Sequence, residues 1–443
     1  MIESFTVKNY MSYKEQVELS FLASKKEKAS ILPPEWYQEI DGKRILKLLL
    51  CVGLNGTGKT KMIDALQYLR MLAIYKPQNP TDSPVYRPFL LDENSKYKPT
   101  ELSLTYYINN VRYCYYIRIG EKRIEEEILK QLSPNLLLYH RTYDADTDMV
   151  SIKFGSDNSI SKRTQQALKL TVIQNTSVLS VFGSLNLESE SLKSNYDYFD
   201  KHISIVRKSN NQNIADKLKT SNPERDMQIK TMLLQLLNDV GTNICDYKVD
   251  EVTFDISDIK KDVPEMLFHQ IQKEHPDGLI SKRTLRFIHH TPAGNISLND
   301  SCESFGTISI IRLLLVMYEI AIGRKCSCID EIEHGIHTKA LDFLLKMYLT
   351  IADNCQLVVT THDLALLRSK NLRRDAVRMF EKDEFGVTRI KRMYVHNTMN
   401  FINAYEKILD EQLGLIIQDL DSLNKYRVLI QTFYDRFEKG KRE

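Results

Sequence analysis

Residues 48–60, Leu-Leu-Leu-Cys-Val-Gly-Leu-Asn-Gly-Thr-Gly-Lys-Thr, pass from an unbroken apolar run into a Gly-x-x-x-x-Gly-Lys-Thr loop. The run reads as a buried strand, and Met62, Leu66, Leu69 and Leu72 beyond it have the spacing of a packed helix. Strand, glycine loop and helix in this order constrain the fold more than any other segment. Gly53, Gly56 and Gly58 let the backbone curl until successive N–H groups face inward around an anion. Lys59 supplies charge for the β- and γ-phosphates of a nucleotide, Thr60 offers its hydroxyl to Mg²⁺, and the helix start aims its positive dipole end at the same place. Asn55, Gly56, Gly58, Lys59, Thr60 and Lys61 are the expected nucleotide-binding positions of this loop.

The 443 residues allow one large core or two modest ones. A net charge of +3, the difference between 61 basic and 58 acidic side chains, argues neither for nor against nucleic acid, so such a partner would need a local patch. The odd number of cysteines, seven, scattered along the chain reads as reduced thiols in a cytoplasm. The first residues lack a signal-peptide pattern, and no apolar run approaches the roughly 20 residues of a membrane helix. The expectation is a soluble, cytoplasmic protein with no membrane partner.

Along the chain, Ser4 to Lys8 and Gln16 to Phe21 read as strands around a Tyr10–Tyr13 turn. Glu101 to Tyr107 and Arg112 to Ile119 read as a hairpin turning at Asn109-Asn110, where positive φ is easiest. Residues 161–245 are expected to form an inserted helical lobe, dividing an N-terminal half, 1–160, from a C-terminal half, 246–395. In the latter, helical patterns at Phe305 to Ile322 and Lys339 to Ile351 alternate with short buried strands at Ser327 to Ile329 and Leu357 to Thr360, the mark of an α/β core. Residues 396–443 turn helical again and are assigned to assembly or partner docking.

Asp330-Glu331 follows the strand Cys326–Ile329, so two carboxylates arrive at a sheet edge. Behind a phosphate loop, Asp330 is expected to hold Mg²⁺ with Thr60, and Glu331 to polarise the attacking water. Glu333 and His337 come next, at the start of a helix. His362 ends another buried strand, where it can sense the γ-phosphate, because ligands collect at the carboxyl ends of parallel strands. Ser304 is an N-cap by type before the apolar helix, and Gly306 permits close approach of backbone to an anion. A zinc site at Cys326, Cys328, His334 and His337 is the lesser reading, since Cys-x-Cys on a buried strand points into core packing.

The ordered set Gly53-x4-Gly58-Lys59-Thr60, Ser304-x-Gly306-Thr307, Ile329-Asp330-Glu331 and Thr361-His362 resembles the ABC-type ATPases. Within them, Asp330-Glu-Ile-Glu-x-Gly-Ile-His337 and Thr360-Thr-His-Asp363 look most like the OLD-like and AbiLi/RloA-like ATPases of bacterial phage-defence operons. Shorter echoes lie at Val7–Tyr10, Arg87–Phe89, Lys98–Glu101 and Arg374-Asp375. The resemblance implies an α/β ATPase head with a mixed sheet, an N-terminal antiparallel β-subdomain and an inserted helical lobe. It implies ATP and Mg²⁺ as ligands, with Lys59, Glu331 and His362 catalytic, in a head-to-tail homodimer or higher oligomer. There Ser304, Gly306 and Thr307 of one copy close on the γ-phosphate bound by the other. It also implies a sensor or regulatory role over an operon-encoded nuclease or toxin effector. The chain departs from the pattern at the glutamine loop, where only Gln78 is available, and after the signature, where Ser309 replaces the usual base and Arg312 lies one turn on, so hydrolysis is expected to be slow or partner-dependent. The alternative is a RecF-like repair ATPase binding DNA directly through residues such as Lys162, Arg163, Arg207 and Lys208.

Overall fold

The computed structural model describes residues 1–24, 34–77, 79, 81–156, 159–206, 213–259, 264–369 and 372–392. Gln78, Arg207, Lys208 and the expected docking segment 396–443 lie outside the described residues. The chain opens with β1 (Ile2–Lys8) and β2 (Val17–Ser20), joined through a Tyr10 to Tyr13 bridge, and the small hairpin β3 (Tyr37–Ile40) and β4 (Lys43–Leu46). Next come the fully buried strand β5 (Leu48–Val52) and helix α1 (Lys59–Ile74), which buries Met62, Leu66 and Leu69. Strands β6 (Thr100–Ile108), β7 (Val111–Ile119), β8 (Ile124–Leu132), β9 (Asn135–Asp144) and β10 (Met149–Phe154) follow. Asn109 and Asn110, between β6 and β7, have φ of 49° and 65°, the left-handed pair that a tight hairpin needs. With β1 and β2 these strands form an antiparallel sheet in the order β10-β9-β8-β7-β6-β1-β2.

Residues 161–245 hold α2 (Lys162–Thr171), α3 (Val178–Ser184), α4 (Glu190–Asp197), β11 (Ile203–Val206), α5 (Ile214–Leu218) and α6 (Pro223–Asp239). Serines 161, 177 and 189 cap the first three helices through their hydroxyls. This stretch is not helical throughout. The four residues of β11 join the central sheet, a strand too short for its alternation to stand out in the sequence.

The remainder contains β12 (Ile244–Asp255), α7 (Glu265–Glu274), β13 (Leu279–Thr291), β14 (Gly294–Asn299), α8 (Phe305–Ile322), β15 (Cys326–Ile329), α9 (Thr338–Ile351), β16 (Gln356–Thr361), β17 (Val377–Lys382) and β18 (Thr388–Arg392). The central sheet runs β11-β15-β16-β5-β17-β18. All its pairings are parallel except β17 with β18, so the fold is α/β with a mixed central sheet beside an antiparallel β-subdomain. Val359 pairs with Ile329 on one side and Leu50 on the other, and Thr361 pairs with Val52. This register brings the ends of β5, β15 and β16 to one edge.

Helix α8 is more apolar than the sequence reading allowed. With a mean hydropathy of 1.9 over 18 residues it is, among the described helices, the one long and apolar enough to cross a membrane. Its Ile311, Leu314 and Met317 are fully buried, and it packs against α6 and α9.

Several charged groups inside the fold are paired. Glu127 in β8 accepts hydrogen bonds from the Tyr139 and Tyr115 hydroxyls and the Val178 N–H, tying the antiparallel sheet to α3. Asp375 is ion-paired to Arg373 at 2.5 Å, with both side chains buried. Removing one member of such a pair strands the other, typically at about 3–5 kcal/mol. Glu3 in β1 meets Arg112 at 2.6 Å, Lys43 at 3.2 Å and the Tyr107 hydroxyl at 2.8 Å. Burial pushes its carboxyl pKa up, but the hydrogen bonds from Arg112, Tyr107 and Lys43 outweigh this and hold it below the ordinary value.

A depressed carboxyl contributes stability that is present above its unfolded pKa, about 4.3, and is lost as pH falls through the folded value. Glu3→Gln should therefore destabilise the protein by about 2 kcal/mol near neutral pH. The difference from wild type should shrink below about pH 4. Urea unfolding across that range measures it, and a pH-independent difference would contradict the assignment.

Candidate functional site

The phosphate loop is shaped by its neighbours. Gly53 packs so closely on β17 that a Cβ there would lie 2.5 Å from the Phe380 carbonyl oxygen. Gly58, at φ 102°, faces a roof made of Ser12 and Thr388, whose hydroxyls would be 2.9 and 2.6 Å from a Cβ. Thr388 Oγ1 sits 2.9 Å from the Thr57 carbonyl, and the Tyr13 hydroxyl donates to the Gly58 carbonyl at 2.8 Å. A side chain at either glycine would open the loop. Ser12, Tyr13 and Thr388 belong to the site's frame although no motif marks them.

The Lys59 ammonium is folded back on the loop, donating to the carbonyls of Gly53 at 2.7 Å and Leu54 at 2.9 Å. His362 Nδ1 is 3.4 Å away. Burial lowers the Lys59 pKa, opposed chiefly by the carboxylates of Asp330 and Glu333. Thr60 Oγ1 donates to Asp330 Oδ2 at 2.9 Å, so a hydroxyl and a carboxylate oxygen stand side by side. Hard oxygen donors of this kind suit Mg²⁺, which completes its shell with waters and phosphate oxygens. Thr60 and Asp330 would hold the ion.

Two strand ends are stitched together beyond this pair. The Thr360 hydroxyl, at the end of β16, donates to Asp330 Oδ1 at 2.5 Å and accepts the Glu331 N–H at 2.8 Å. That second bond supports the unusual backbone of Glu331, φ 48°. In return, Glu333 Oε1 accepts the His362 N–H at 2.6 Å. His337 caps α9.

Glu331 and His362 line a cleft of about 750 Å³ together with Asn55, Gly56, Gly58, Lys59, Thr60 and Lys61. Met11, Arg87, Leu90, Leu91 and Lys382 complete its walls. Ser304, Gly306 and Thr307 are not part of it. Ser304 Oγ accepts the Thr307 N–H at 3.0 Å as the cap of α8, and Gly306 packs against the Gly335 carbonyl. Ser309 and Arg312 line a different cleft of about 540 Å³ that also touches Asp330 and Glu331. Cys326 and Cys328 are buried in β15, and among the described residues no three His, Cys, Asp or Glu side chains gather as metal ligands, so the zinc reading fails. Lys162 and Arg163 are exposed at the start of α2.

A strand-loop-helix phosphate cradle at the carboxyl edge of a parallel sheet, with an oxygen-donor pair and a histidine facing it, defines a P-loop ATPase-type site. The profile of the family described as "AAA domain, putative AbiEii toxin, Type IV TA system" matches residues 191–368, a stretch holding Ser304, Asp330, Glu331 and His362. No curated protein matches the chain. Similar solved structures include an SMC head domain from Thermotoga maritima, at 13% identity and a TM-score of 0.41 over 89% of this chain and 99% of that one. An SmcHead bound to the C-winged helix domain of ScpA is similar at 13% identity and a TM-score of 0.44, over 90% and 99%. An Smc head with an extended coiled coil bound to the C-terminal domain of ScpA, from Pyrococcus furiosus, gives 12% and 0.39, over 93% and 98%.

Because Thr360 orients Asp330 without entering the cleft, Thr360→Val should raise the Mg²⁺ concentration for half-maximal ATP turnover by about tenfold or more. Thr360→Ser, which keeps the hydroxyl, should leave it unchanged. Magnesium titration of phosphate release tests this, and equal behaviour of the two variants would refute it.

Proposed function

We propose that this protein is a Mg²⁺-dependent ATPase that works as a head-to-tail dimer, in the cytoplasm, as the sensor or regulatory unit of an OLD-like or AbiLi/RloA-like phage-defence system acting on a partner nuclease or toxin. The gathering of Lys59, Thr60, Glu331 and His362 on one cleft, with Asp330 bonded to Thr60, carries the ATPase reading. Lys59 leaves its carbonyl partners to bind the β- and γ-phosphates. Glu331 takes the proton of the attacking water, and His362 contacts the γ-phosphate from the end of β16. Thr60 and Asp330 would hold Mg²⁺, which would supply positive charge to offset that building up on the phosphate oxygens.

The dimer reading is supported by the position of the signature. Ser304 is exposed and lies outside its own chain's cleft, so it is accessible to a second molecule. The defence reading is supported by the AbiEii-type match, which spans the signature and both catalytic strand ends. All seven cysteines are free, as a reducing compartment requires. In this reading residues 1–160 and 246–395 are the two halves of the head, 161–245 its inserted lobe, and 396–443 an assembly or docking segment.

Glu331→Gln should lower turnover by at least about 100-fold while ATP still binds, leaving a long-lived ATP-bound dimer. Lys59→Ala should abolish nucleotide binding. Phosphate release and ATP-dependent light scattering read both, and a Glu331→Gln protein turning over at the wild-type rate would remove the assigned base.

The signature should act in trans. Mixing Ser304→Arg chains with Lys59→Ala chains should restore turnover to at most one working site per dimer. Recovery of two sites would exclude the shared-site arrangement.

A further inference from the structure

Glu333 is absent from the walls of the nucleotide cleft, yet it is tied to the cleft's histidine. Its Oε1 receives the His362 N–H, while Oε2 is buried without a hydrogen-bond partner. An unpaired carboxylate oxygen in the interior costs about 1–3 kcal/mol or more, a cost that the nearby Lys59 ammonium offsets only in part. A backbone N–H bonded to a carboxylate makes a bond about twice as strong as one to a neutral acceptor. That bond fixes the peptide from which the imidazole reaches to 3.4 Å from Lys59 Nζ.

The bracing is reciprocal. Thr360, on β16, orients Asp330 and Glu331, and Glu333, beyond β15, orients the residue that ends the β16 side of the site. Among the described residues Glu333 is the acceptor found for the His362 backbone N–H, so losing the carboxylate leaves that N–H unpaired.

We infer that Glu333 is a positioning residue for His362: it holds the imidazole in line with the γ-phosphate end of the cleft and touches neither nucleotide nor metal. The inference rests on the ATPase reading for its kinetic consequence and on geometry alone for the bond itself.

The test uses the full chain with Glu333→Ala and Glu333→Gln. Equilibrium binding of N-methylanthraniloyl ATP should stay within about twofold of wild type in both, because Glu333 makes no ground-state contact with nucleotide. Single-turnover hydrolysis should slow by about 10–100-fold in Glu333→Ala, the loss expected from a small misplacement of a site group. Glu333→Gln should recover most of that rate, since its amide oxygen still accepts the His362 N–H. Hydrogen exchange of the segment containing His362 should quicken by about tenfold in Glu333→Ala and stay slow in Glu333→Gln. Equal slowing in both variants, or unchanged His362 exchange in Glu333→Ala, overturns the inference. Wild-type protein without Glu331-dependent turnover would instead remove the ATPase reading, and the exchange measurement would still decide whether Glu333 holds His362.

Discussion

The parallel pairing of β16 with β15 on one side and β5 on the other is the constraint on which the site depends. Parallel neighbours point the same way, so the segments leaving them emerge at one sheet edge. The register sets Val359 level with Ile329 and Leu50 and Thr361 level with Val52. A slip of one residue would turn every side chain to the other face and carry the Thr360 hydroxyl away from Asp330. The amino end of β16 guards against this slip. Gln356 is fully buried, and its amide donates to the carbonyls of Ile2 and Leu46 while its oxygen accepts the Ile2 N–H. A buried amide with its partners in place fixes both the strand's height and the antiparallel sheet beside it.

Charge around Lys59 follows from the same geometry. The Lys59 ammonium lies among the carboxylates of Asp330, Glu333 and Glu331, and Lys61, Arg87 and Lys382 line the same cleft. The carboxylates of Asp330 and Glu331, both partly exposed, carry the same sign as a phosphate group. The Thr60 and Asp330 oxygens, 2.9 Å apart, are placed where a divalent cation would reverse that sign. The Lys59 ammonium is meanwhile held by the carbonyls of Gly53 and Leu54.

Sequence and structure agree most closely where chemistry and strand share a contiguous segment. Lys59 and Thr60 follow β5 directly, Asp330 and Glu331 follow β15, and His362 follows β16, so an apolar run ending in a reactive residue was enough to place each. The Asn109-Asn110 turn was legible because positive φ restricts residue type. The roof of the loop was not, since Ser12, Tyr13 and Thr388 come from opposite ends of the chain and act through single hydroxyls. Nor was β11, whose pairing with β15 depends on a neighbour more than a hundred positions away. The Thr360 contacts were hidden for a different reason: a buried threonine in a strand reads as packing until its partner is known.

The start of α8 leans on the turn that carries Glu331 and Glu333. Gly335, at φ 76°, has no Cβ, and the Phe305 ring fills the space, 2.4 Å from where that atom would be. Phe305 also meets the edge of His334 at a centroid distance of 5.0 Å, and Gly306 lies against the Gly335 carbonyl. Phe305 remains 54% exposed, so its ring covers the turn without being enclosed by it. The Glu331 N–H is bonded to the Thr360 hydroxyl and the Glu333 carboxylate to the His362 N–H, so the turn on which Phe305 rests is itself tied to the end of β16. The face presented by Ser304 thus adjoins, through Phe305 and Gly306, the turn that carries Glu331 and Glu333, although Ser304, Gly306 and Thr307 do not line the cleft.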